Sequence, residues 1–90
     1  MPGLYRINGF LVYFWANESS EPVHVHVSRG RPAKQSAKFW ILENGEVSLA
    51  KGSPDMTAKE LRGIQDFVRS VSPEIVLAWQ EMFGYVRFHE

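Results

Sequence analysis

His24 and His26 stand two residues apart in the run Pro22-Val23-His24-Val25-His26-Val27. Side chains alternate across a strand, so Val23, Val25 and Val27 share one face. The two imidazoles share the other, roughly 6.5–7 Å apart along the strand. The valines belong to a core. The histidine face is then expected to be solvent-exposed or to line a cleft. Imidazoles so placed can ligate a metal, act as acid and base near neutral pH, or hold an anion when protonated. They can also be two solvated side chains with no chemistry. A zinc site needs at least three protein ligands. Glu21, Glu81 and His89 are the available third partners, and no local spacing ties any of them to the pair. The reading therefore assigns no metal site and expects no cofactor. Acid–base chemistry on a phosphodiester needs two titratable groups and a cation: His24 and His26 supply the first, Lys38 or Arg29 the second.

Charge bears on the same strand. Ten Lys and Arg balance ten Asp and Glu, so the net charge of zero favours neither a nucleic acid nor a membrane partner. From Pro22 to Leu42, however, there is no acid, while Arg29, Arg31, Lys34 and Lys38 all fall there. These four are the candidate nucleic-acid-binding residues. A basic face attracts phosphates and loses them as salt rises. Tyr13, Phe39 and Trp40 are rings able to stack on bases, but Phe39 and Trp40 fit a core better. The chain has no cysteine. That excludes a disulfide framework, a thiolate zinc site and a cysteine nucleophile, and it suits a reducing compartment. No Gly-rich phosphate loop or serine nucleophile motif is present. No apolar run approaches the roughly 18 residues that span a bilayer. The start Met1-Pro2-Gly3-Leu4-Tyr5-Arg6 has no signal-peptide pattern. The expectation is a cytoplasmic protein with no membrane contact.

Ninety residues make one domain, 1–90. The sheet part is 1–51 and the two-helix part 55–84, with 85–90 a tail or short edge strand. Tyr5-Arg6-Ile7 and Phe10 to Trp15 flank Asn8-Gly9, a type I′ hairpin signal. The second strand is apolar on both faces, which predicts a central position covered on both sides. Val23–Ser28 is the third strand and Ser36–Leu42 the fourth. Asn44-Gly45 predicts a second type I′ hairpin into Glu46–Ala50. Thr57-Ala58-Lys59-Glu60 has capping-box spacing, and Leu61, Ile64, Phe67, Val68 and Val71 recur at helical spacing. Ser72 is read as the N-cap of a second helix, with Pro73 at its first position. Ile75, Val76, Trp79, Met82 and Phe83 form its apolar face, and Gly84 caps its end. Gln80 and Glu81 lie off that face. Strands followed by helices imply an α+β fold: an antiparallel four- to five-stranded sheet with two helices packed on one face.

The ordered set Arg6-Ile7-Asn8-Gly9, Asn17-Glu18, Glu21-Pro22-Val23-His24-Val25-His26-Val27, Gly30, Ala37-Lys38-Phe39-Trp40, Glu60-Leu61 and Ala78-Trp79-Gln80-Glu81-Met82-Phe83 resembles a small bacterial family, domain of unknown function 4160. The Pro-x-His-x-His segment followed by Ala-Lys-Phe-Trp is the most specific part. The resemblance implies a short bacterial protein, often encoded beside another small protein in pairs suspected to be toxin–antitoxin modules. His24, His26 and Lys38 match the family motifs.

The leading expectation is a toxin-like member of such a pair that acts on or binds RNA. Its activity would be a metal-independent, ribonuclease-like one. His24 and His26 would be acid and base, with Lys38, Arg29 and Arg31 holding phosphate. Its partners would be RNA and a cognate small protein, with a homodimer as a further candidate. The alternative is a non-catalytic nucleic-acid- or protein-binding module, an antitoxin or regulator. The third is a metal-binding protein that uses the His-x-His strand.

Overall fold

Asn8 and Gly9 make the tight turn that their sequence predicts. In the computed structural model, which describes residues 3–89, both have positive φ, 49° and 82°. A two-residue loop of that hand matches the twist of the strands it joins. Here it joins β1 (Gly3–Ile7) to β2 (Phe10–Tyr13), with Ile7 opposite Phe10. β3 (His24–Arg29), β4 (Ala37–Ile41) and β5 (Val47–Lys51) follow. Every neighbouring pair is antiparallel, and the order in the sheet is the order in the chain. β3 is therefore the central strand. Two helices, α1 (Ala58–Ser70) and α2 (Ser72–Phe83), complete the α+β fold. Neither is long and apolar enough to cross a membrane.

The second hairpin departs from the predicted type. Gly45 has φ 87°, but Asn44 does not share the positive φ that a type I′ turn requires. The Gly45 amide donates to the Leu42 carbonyl at 3.0 Å, and the Leu42 amide donates to Glu46 at 2.8 Å. These bonds close a three-residue loop, Glu43-Asn44-Gly45, with its last residue left-handed. The Asn44 side chain explains the choice: its Oδ1 accepts the Glu46 amide at 2.9 Å, which holds Asn44 in a turn of its own.

α1 begins as its sequence predicts. The Thr57 hydroxyl accepts the Glu60 amide at 3.1 Å, and the Glu60 carboxylate accepts the Thr57 amide at 3.0 Å. Ser72 does not cap α2, whose cap position falls to Val71. The Ser72 side chain is buried and donates instead to the Gly45 carbonyl at 3.0 Å, so it ties the start of α2 to the β4–β5 turn. Gly84 ends α2 in the left-handed conformation.

The valine face is core, as alternation predicts. Val25 and Val27 pack with Val12, Phe39 and Ile41 under Ile64, Val68, Ile75 and Trp79 of the helices. The predicted apolar face of α2 holds for Ile75, Val76, Trp79 and Phe83, but Met82 is 47% exposed. The tail forms no strand over 85–88. It runs back past the entrance to β3, where the Val23 amide donates to the Arg87 carbonyl at 2.8 Å. The Tyr85 hydroxyl and the Arg87 guanidinium donate to the carbonyls of Ser19 and Ser20.

Candidate metal centre

The chain leaves β2 at Tyr13 and re-enters the sheet at His24, and Tyr13 pairs with His26 in register. The connection over 14–23 therefore has to turn at the histidine end of β3. Its geometry is set locally: the Glu18 carboxylate accepts the Trp15 amide at 2.7 Å, and the Glu18 amide donates to the Trp15 carbonyl at 3.3 Å. This turn presents Glu18 to both imidazoles. Glu18 Oε2 lies 2.7 Å from His26 Nε2 and 3.0 Å from His24 Nε2. One ligand atom from each of the three residues lies within 4.8 Å of the others.

The two histidines differ in environment. His24 has no exposed surface. Its ring sits among Trp79, Trp40 and His26, at centroid distances of 5.1, 5.7 and 5.0 Å. The expectation of an exposed or cleft-lining histidine face thus fails for His24. The loop carrying Glu18 and the tail over Trp40 cover the end of the sheet that alternation alone leaves bare. His26 keeps 14% of its side chain exposed and stacks on Tyr13 at 5.4 Å. It lines a groove of ≈ 380 Å³ together with Glu18.

Tautomers follow from the partners. The Pro22 carbonyl can only accept, so His24 Nδ1, 2.9 Å away, carries a proton and donates to it. In the neutral ring Nε2 then holds a lone pair. That nitrogen is buried and has no hydrogen-bond partner among the described residues. Glu18 Oε2 is close to it but outside bonding direction, and a carboxylate facing a lone pair offers repulsion in place of a bond. His26 is flexible in this respect. Its Nε2 meets Glu18, and its Nδ1 lies 3.3 Å from the Ser36 hydroxyl, which can donate or accept. Burial pushes the Glu18 carboxyl up, but hydrogen bonds from His26 and the Trp15 amide, with His24 nearby, outweigh it and hold the group below its ordinary value. Burial holds His26 below the usual imidazole value against the opposing pull of Glu18. Both shifts favour a carboxylate beside a neutral imidazole, the forms that bind metals.

Two of the four basic residues meet acids that lie outside the acid-free stretch. Lys38 Nζ pairs with Glu21 at 2.5 Å and sits 4.3 Å over the Trp40 ring. Arg29 pairs with Glu60 at 3.2 Å, donates to the Asp55 carbonyl and lies over Phe10. Arg31 and Lys34 are exposed and make no ion pair among the described residues. Phe39 is core; Trp40 is half-buried and stacks on His89 at 4.4 Å. Tyr13 is fully buried, its hydroxyl against Ser28 Oγ at 2.9 Å, so it is closed to a base. The residue placed to complete a metal-holding set with the two histidines is thus Glu18 and none of Glu21, Glu81 or His89. Glu18 stands in the family-like set as Asn17-Glu18, but no local spacing ties it to the histidines. The available signal was positional: a loop between paired strands β2 and β3 must pass the end where His24 lies.

The family model described as Domain of unknown function (DUF4160) matches residues 9–80. The chain belongs to that family. Glu18, His24, His26 and Lys38 all fall within the matched span; the tail over 85–89 does not. Comparison with curated proteins and with solved structures finds no match.

Proposed function

We propose that this protein binds a divalent transition metal, zinc being the best fit, through Glu18, His24 and His26. The observation that carries the reading is the buried, unbonded Nε2 of His24, facing the Glu18 carboxylate at 3.0 Å. A cation between these atoms turns that repulsion into coordination. The surroundings of both rings suit ligation, because metal-bound imidazoles ordinarily donate their other N–H to a carbonyl or similar acceptor. Pro22 provides this for His24. Ser36 Oγ provides it for His26 once the single proton of the neutral ring moves from Nε2 to Nδ1 by exchange with solvent. Two histidines and one carboxylate make a three-ligand set, which leaves zinc an open position for water or substrate. Bound there, the metal would supply Lewis acidity and a water acidified toward neutral pH.

The test uses protein purified without an affinity tag and stripped with chelator. Zinc should bind at one equivalent and raise the melting temperature, and His24→Ala should lose both effects. An unchanged melting temperature with zinc, cobalt and nickel alike would refute the reading.

A second reading, an RNA-directed member of a two-gene pair, is favoured by Arg31 and Lys34, exposed and without an ion pair among the described residues. Binding without cleavage suits it better than acid–base catalysis, because His24 has no exposed surface through which to reach a phosphodiester. Expression with and without the neighbouring gene, scored for growth and RNA integrity, tests this reading. Intact RNA and normal growth would remove the toxin version.

A further inference from the structure

Two of the three metal ligands, Glu18 and His26, reach the groove, while His24 is sealed behind them. A further position on a metal held by these three residues would be reached from the groove. Its walls also carry Trp15, Lys34, Ser36 and Lys51. The two lysines come from separate parts of the chain, the β3–β4 loop and the end of β5, and converge on one space. Both are exposed, and neither makes an ion pair among the described residues. Lys38, the register partner of Lys51, is by contrast already neutralised by Glu21. Among the described residues the only carboxylate in the lining is Glu18, whose charge a bound metal would absorb. Unpaired cations beside an open metal position select an anion with several oxygens. The volume suits a small molecule, and Trp15, 39% exposed, offers a ring on which a planar group can stack.

We propose that this groove binds a phosphate monoester of a planar base, a mononucleotide-sized ligand. One phosphate oxygen takes the open metal position, and Lys34 and Lys51 take the others. The proposal rests on the metal reading above, so zinc stoichiometry is measured first. Zinc-loaded protein is then titrated with inorganic phosphate and with adenosine monophosphate, followed by calorimetry and by Trp15 fluorescence. Both ligands should bind the zinc form and not the chelator-treated form. Lys34→Ala with Lys51→Ala should weaken both by about tenfold or more, as expected for lost charge-assisted contacts. Trp15→Ala should weaken the nucleotide alone. Failure of zinc to bind overturns both readings together. Bound zinc with no affinity for either ligand, or with affinity unchanged in the lysine variant, overturns this inference and leaves the metal site standing. Equal binding of phosphate and nucleotide, with Trp15→Ala silent, overturns the assignment of a base.

Discussion

At the scale of single residues, Glu18 stands against a neutral His24 ring in a conflict that a bound cation would relieve. Its carboxylate serves His26 and the Trp15 amide but opposes the His24 lone pair. Glu18→Gln should remove the conflict. The amide oxygen can keep the Trp15 bond, and the NH2 group can donate to both Nε2 atoms once His26 turns its proton to Ser36. A satisfied buried hydrogen bond is worth about 1 kcal/mol, which corresponds to roughly 4–8 °C in a domain of this size. The variant should melt higher than the native chain in chelator and gain nothing from zinc, as differential scanning calorimetry would show. A lower melting point in chelator would contradict the argument. Tyr5 supplies a pH dependence at this scale. Burial, then the hydrogen bond and charge of Glu74, raise its phenol from 10.0 to about 12. A group with a raised folded pKa contributes stability that is complete below the unfolded value and lost as pH climbs through the folded one. Stability should therefore fall between pH 10 and about 12 by this route. Tyr5→Phe should flatten that part of a denaturation-versus-pH profile.

At the scale of elements, each histidine is held by a strand and each strand by its neighbours. The central position of β3 fixes both imidazoles against Tyr13 on one side and Lys38 and Trp40 on the other. The helices contribute by holding the opposite face. The α1 cap is the simplest place to weaken them without touching the site. Thr57→Ala removes the hydroxyl that accepts the Glu60 amide and should cost about 0.5–2 kcal/mol. Chemical denaturation measures the loss, and zinc stoichiometry should not change. Glu60 adds an acid limit. The Thr57 amide first, then Arg29, hold its carboxyl low. Its contribution is therefore present above the unfolded carboxylate range and fades as pH falls through the folded value.

At the scale of the whole molecule, Trp79 connects the helix layer to the site. It is fully buried, packs on Phe14 at 4.9 Å and meets the His24 ring at 5.1 Å. Trp79→Ala should cost about 3–5 kcal/mol. It should also loosen His24, so zinc affinity should fall along with stability, in contrast to Thr57→Ala. The tail acts from outside the family-matched span. Deleting 85–90 frees the Val23 amide and uncovers Trp40. Amide hydrogen exchange at Val23 and His24 should accelerate, while Ile64 and Val68 in the helix core keep their protection.

What the sequence determined by itself is local. Alternation put the valines in the core, Asn8-Gly9 set the first hairpin, and Thr57 with Glu60 set the start of α1, because each pattern repeats or closes within a few residues. The second turn and the start of α2 depart from their local patterns where a side chain has a better partner: Asn44 accepts the Glu46 amide, and Ser72 donates to the Gly45 carbonyl. The fate of the histidine face was decided only in three dimensions. Its cover comes from the 14–23 loop and from a tail more than fifty residues away in sequence. Charge behaved the same way, since the acid-free stretch meets Glu21 and Glu60 from outside it. Glu18 joins the histidines because the loop between two paired strands must turn at their shared end. That convergence depends on the path of the backbone and leaves no periodic trace in the order of residues.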